Sequence, residues 1–108
     1  MSEFLLLLQE PNGVFANYSP EQMQGIIEKY NAWAQELGEA GKIIEGRKLK
    51  EDGGRLLSRR ENGMVMDGPF SETKEVIGGF FLIKANHYDE AIEICKNCPH
   101  LEVGMIQL

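Results

Sequence analysis

Phe4-Leu5-Leu6-Leu7-Leu8 and Val76-Ile77-Gly78-Gly79-Phe80-Phe81-Leu82-Ile83-Lys84-Ala85 are two nearly unbroken apolar stretches. A half-buried strand alternates apolar with polar residues, whereas runs of this kind read as central strands with apolar side chains on both faces. The first stops at Gln9-Glu10 and Pro11-Asn12-Gly13, and the second is interrupted by Gly78-Gly79. Both faces of a sheet built on these strands need cover.

Helices on either side of the chain's middle supply part of it. Ser19 reads as an N-cap, Pro20 as the first helical residue, and Gln22 completes a capping box. Met23, Ile26, Ile27, Tyr30, Trp33, Ala34 and Leu37 then recur at helical spacing for about five turns, with Gly38 read as a left-handed cap. A second helix is expected from Asn86 or His87, with Asp89 and Glu90 in its first turn, apolar residues at Tyr88, Ala91, Ile92 and Cys95, and an end at Cys98-Pro99. Between the helices lie short segments divided by turn residues. Ile43 to Lys50, Arg55 to Arg60 and Met64 to Asp67 read as strands of a meander, with turns at Asp52-Gly53-Gly54 and Asn62-Gly63. Val103 to Leu108 is the last strand.

This order predicts an α+β fold: a ferredoxin-like split βαβ with an extra β-hairpin and both helices on one face of a mainly antiparallel sheet. Two helices cover one face only. A second copy of the chain, packed sheet to sheet, is the expected cover for the other, so the chain is read as a homodimer.

Composition narrows the function classes. With 108 residues the chain is expected to form one domain, 1–108, and an enzyme with an interdomain cleft is excluded. Eleven basic against seventeen acidic residues leave a net charge of −6, which argues against direct nucleic-acid binding. The 43% apolar content excludes disorder, and no run approaches the length of a membrane span. The run Glu3 to Leu8 lacks the basic start and cleavage pattern of a signal peptide, so a cytoplasmic location is expected.

Asp67-Gly68-Pro69-Phe70-Ser71-Glu72-Thr73-Lys74-Glu75, followed by Gly78-Gly79-Phe80-Phe81, resembles the DGPF branch of the YCII-related domain family. The opening strand at Glu3-Phe4-Leu5, Ser19-Pro20-Glu21, Asp89-Glu90-Ala91 and Cys98-Pro99 extend the resemblance over essentially the whole chain. It implies a dimeric α+β barrel, brings no settled activity, and hints at a regulatory context near sigma factors. Some relatives are described with an Asp and His catalytic dyad, which does not transfer here. His87 reads as a helix-start residue and His100 as a loop residue.

The Asp67 loop is the candidate site. Gly68 and Pro69 shape a turn that holds Asp67 beside Phe70, where the carboxylate is a candidate general base. Lys74 is placed to hold an anionic group, and Glu72 either pairs with it or sets the local potential. Gly68, Pro69, Phe70, Glu72, Lys74 and Gly79 are therefore the candidate ligand-binding residues. The structural alternative is a capped turn with Phe70 plugging the end of the barrel. Gly78-Gly79 has no phosphate-loop context and reads as a point where a helix or partner backbone approaches closely. Cys95 and Cys98 form a CxxC in the last turn of a helix, where the dipole disfavours a thiolate, so they read as packing residues. No metal site and no cofactor are expected, since the zinc-type ligands have irregular spacing and His87 is a weak haem ligand.

Three functions stay open at this point. One is a small-molecule enzyme using Asp67 for acid–base chemistry. The second is a non-catalytic ligand-sensing or regulatory module linked to sigma-factor-dependent transcription, and the third is a pure dimerisation domain. The unknown small molecule of the first two would be met by local contacts.

Overall fold

The computed structural model describes residues 1–50, 54–68 and 75–108, with Asp67 described by its backbone. The elements run β1 (Ser2–Pro11), α1 (Pro20–Glu39), β2 (Ile43–Lys48), β3 (Leu56–Arg60), β4 (Gly63–Asp67), β5 (Glu75–Ala85), α2 (Tyr88–Lys96) and β6 (Met105–Gln107). Four strands make an antiparallel sheet in the order β2-β5-β1-β6, with the two apolar runs side by side at its centre. That is the ferredoxin-like α+β arrangement. The middle of the chain is not a meander, however, because β2 pairs directly with β5 while β3 and β4 pair with each other as a separate hairpin. The hairpin is an insertion between two strands that are partners in the sheet.

Pleating divides the central strands into two faces. Leu6, Leu8, Ile83 and Ala85 point under the helices and are buried with Trp33 of α1 and Ala91 and Cys95 of α2. Gly46 leaves room for the Phe81 ring, which would lie 2.5 Å from any Cβ there, and Trp33 packs edge-on against that ring with centroids 5.0 Å apart. The other face carries Leu5, Leu7, Ile77, Phe80, Leu82 and Met105, and here Leu5, Ile77 and Met105 are exposed. Phe4 to Leu8 is thus apolar on both faces but covered on one within the single chain.

Capping follows the chemistry of the ends. Ser19 accepts from the Gln22 backbone N–H at 3.1 Å, and Gln22 returns the bond to the Ser19 N–H at 2.8 Å. The left-handed cap is Gly41 at φ 70°, whereas Gly38 lies inside α1. Lys42 N–H reaches the Leu37 carbonyl at 2.9 Å and Gly41 N–H the Gly38 carbonyl at 3.0 Å, the paired closure that satisfies the last carbonyls of a helix. At α2, His87 is the N-cap, its Nδ1 accepting from the Glu90 N–H at 3.2 Å. After α2 the chain makes a 3-10 turn, Pro99–Glu102, and β6 is shorter than the expected Val103 to Leu108. No helix among the described residues is long and apolar enough to cross a membrane.

Candidate functional site

Glu10 is the first acid after the apolar run, and alternation places it on the same face of β1 as Leu6 and Leu8, underneath α1. It is only 8% exposed. Its carboxylate lies across Gly78, where a Cβ would collide with Oε1, and a register shift in the β1–β5 pairing between Leu8 and Gln9 falls at the same place. Gly78 is therefore where a carboxyl group, not a helix or a second backbone, comes close to the central strand. Gly79 does meet a neighbouring backbone, since a Cβ there would lie 2.7 Å from the Arg47 carbonyl oxygen of β2.

Glu10 borders two cavities. The smaller, about 280 Å³, lies between α1 and the sheet, with Leu8, Phe15, Met23, Ile26 and Phe81 as apolar walls and Tyr30 and His100 as polar neighbours. The larger, about 730 Å³, runs from Glu10 and Phe15 past Lys50 and Arg55 to Leu56 and Glu75. Gly78 and Phe15 belong to both.

Tyr30 and His100 form a defined pair. His100, 1% exposed, is buried in the 3-10 turn and is not a loop residue open to solvent. Its Nε2 lies 2.8 Å from the Gln9 carbonyl oxygen and its Nδ1 lies 2.8 Å from the Tyr30 hydroxyl. A carbonyl accepts only, so Nε2 carries the proton of the neutral ring; Nδ1 is then an acceptor and the Tyr30 O–H donates to it. Burial pushes the imidazole below its ordinary value, which the Gln9 bond partly offsets, and this keeps the ring neutral. Burial also pushes the Tyr30 phenol up, with the ionisable groups of Cys98, Glu10, Glu102 and Tyr18 acting in the same direction, so the phenol keeps its proton. Gly104 makes the contact sterically feasible, because a Cβ there would strike the Gln9 carbonyl and come within 3.0 Å of Nε2.

The sequence-derived site lies beside this one. Asp67 ends β4 opposite Leu56, a wall residue of the larger cavity. Gly68 adopts φ 120°, and a Cβ on it would lie 2.5 Å from the Gly54 oxygen and 3.1 Å from Arg55, two further wall residues. Pro69, Phe70, Glu72 and Lys74 lie outside the described residues. Gly79 lines the smaller cavity. The reading from sequence missed Glu10, Tyr30 and His100. Glu10 was accessible to it through period-two counting from Leu6, but nothing local marked His100, whose partners lie 70 and 91 positions away.

The buried thiols of Cys95 and Cys98 sit in the core. Burial, with Cys98 nearby, raises Cys95 to about 11, and burial raises Cys98 as well, the reverse of what a reactive CxxC requires.

A family model of the YCII-related domain matches residues 3–108. The chain belongs to the YCII-related domain family. It is also 30% identical over 96 residues to an uncharacterised protein of Rhizobium meliloti (strain 1021), a match covering 87% of this chain and 77% of the relative. The family match spans both halves of the site, from Glu10 on the first strand to His100 before the last.

Proposed function

We propose that the protein is a small-molecule enzyme of acid–base type, with Glu10 as the carboxylate that exchanges a proton with a ligand held between α1 and the sheet. One observation carries this reading: a carboxyl group shielded from bulk water lies over Gly78 and faces an apolar cavity beside a phenol and an imidazole. A general base needs such placement, within reach of the bound molecule. Asp67 remains in the proposal as a second carboxylate, because it pairs with Leu56 of β3, which lines the larger cavity, and Glu10 borders both cavities. A metabolite screen by thermal shift, followed by turnover assays on the hits, tests the reading. Glu10→Gln is expected to lower turnover by about 10² to 10⁴ while the thermal shift persists, and Asp67→Asn reports the contribution of the second acid. Unchanged turnover in Glu10→Gln discards Glu10 as the base. Binding of a metabolite with no chemical change in it favours the sensing module instead.

The proposal includes a homodimer in the cytoplasm. Leu5, Leu7, Ile77, Phe80, Leu82 and Met105 form an apolar face whose charged residues, Glu3 with Lys84 and Glu45 with Arg47, lie towards its ends and edge in opposite-sign neighbours. A two-fold axis brings the same patch onto itself, and a patch with both signs on its rim can match itself.

A further inference from the structure

We infer that Phe15 is a specificity-determining residue: its ring is the end wall between the two cavities and sets the length of the apolar molecule that fits between α1 and the sheet. The inference deepens the proposed reading of the smaller cavity as a ligand site and rests on it.

The wall belongs to the loop 12–17, which joins β1 to α1. Asn12, Gly13, Val14 and Ala16 line the larger cavity alone, whereas Phe15 lines both. Phe15 is thus the residue through which this loop reaches the smaller cavity. The other two residues that border both cavities, Glu10 and Gly78, come from the sheet, where the carboxylate lies over the glycine. On the sheet side the boundary is Glu10; on the loop side it is the Phe15 ring.

Several contacts fix that ring in place. Gly13 takes φ 78°, and the chain then closes successive turns: Val14 N–H to the Pro11 carbonyl at 3.0 Å, Ala16 N–H to the Gly13 carbonyl at 2.9 Å, and Tyr18 N–H to the Phe15 carbonyl at 3.1 Å. Tyr18 packs edge-on against Phe15, with ring centroids 5.2 Å apart. The Ser19 capping box anchors the far end of the segment to α1.

Leu8, Met23, Ile26, Ile27 and Phe81 give the smaller cavity its apolar walls, and its volume of about 280 Å³ suits a short apolar body. About 730 Å³ lies beyond Phe15. Each methylene buried from water strengthens binding by about fourfold. That gain ends where a growing chain meets the ring, so Phe15 converts position into selection by length.

The test uses the unbranched 1-alkanols from 1-butanol to 1-decanol, whose hydroxyl both donates and accepts and is constant through the series. Trp33, the single tryptophan, packs on the cavity residue Phe81, so its fluorescence reports binding to the whole chain. Affinity is expected to rise by about fourfold per methylene and to stop rising within the series. In Phe15→Ala, with its fold checked by circular dichroism, the rise is expected to continue to 1-decanol, because the chain passes into the larger cavity. Phe15→Leu is expected to move the limit in the same direction by less. Met23→Ala removes a wall that borders the smaller cavity alone, and is expected to shift the limit without abolishing it. A limit unmoved by both Phe15 variants, a wild-type series with no limit, or the same loss of the limit in Met23→Ala overturns the inference while leaving the cavity a ligand site. Failure of both Phe15 variants to fold assigns the ring to packing and overturns it too. Binding of none of the alkanols removes the ligand site and the inference together.

Discussion

Gln9 and His100 stand 91 positions apart, and Gly104 lets them touch. At the residue scale the site is a set of gaps in side-chain volume as much as a set of functional groups. Gly78→Ala is expected to push the Glu10 carboxylate off the sheet, because the added methyl occupies the place of Oε1. A crystal structure of the variant shows the displacement, and an unmoved carboxylate overturns the prediction. His100 makes a second prediction. Its folded value is depressed below 6.5, so the unfolded chain takes up the proton first as pH falls. The group's contribution is therefore fully present above pH 6.5 and is lost as pH drops through the depressed folded value. Thermal melts between pH 7.5 and 5 should show falling stability, and His100→Gln should flatten the slope over that window; an unchanged slope assigns the loss to other groups.

At the element scale, α1 holds the site's roof in place from both ends. Ser19 and Gln22 close its start, and the Gly41 turn closes its end before β2. Ser19→Ala should cost about 1 kcal/mol by urea denaturation, the usual value of a lost N-cap. Gly41→Ala should cost about 1 to 2 kcal/mol because a Cβ is disfavoured at positive φ. The start of α1 was legible in the sequence because Ser-Pro-x-Gln is a local signature. Its left-handed cap was misplaced by three residues, since Gly38 and Gly41 both follow the apolar stripe and only the main-chain bonds Lys42 to Leu37 and Gly41 to Gly38 show which one takes the left-handed turn. The middle strands failed for a related reason. Spacing located Leu56–Arg60 and Gly63–Asp67 to within a residue, but pairing is a choice among partners, and β2 joins β5 across the inserted hairpin.

For the whole molecule, the sheet's uncovered apolar face and the hairpin dominate. Leu57 and Met66 face each other across β3 and β4 at 59% and 64% exposure, beside Met64. Phe80→Glu, in the middle of the open sheet face, should shift the chain to a monomer in sedimentation velocity while Leu6, Leu8 and Ile83 keep the helical side folded. A wild-type chain that sediments as a monomer at micromolar concentration removes the dimer from the proposal.

Short-range rules reached the two central strands, both helices and the α+β class, because apolar periodicity and capping residues act within a few positions of themselves. They also marked Asp67 and Gly68 as unusual, and the backbone there does adopt a glycine conformation. The arrangement around Glu10 was decided by tertiary structure. An acid, a phenol and an imidazole come from the first strand, the first helix and the turn before the last strand, and they meet because Gly78 and Gly104 leave room for them. Such a meeting depends on which strand lies beside which and on volume that is missing, and neither is encoded by the spacing of any one segment.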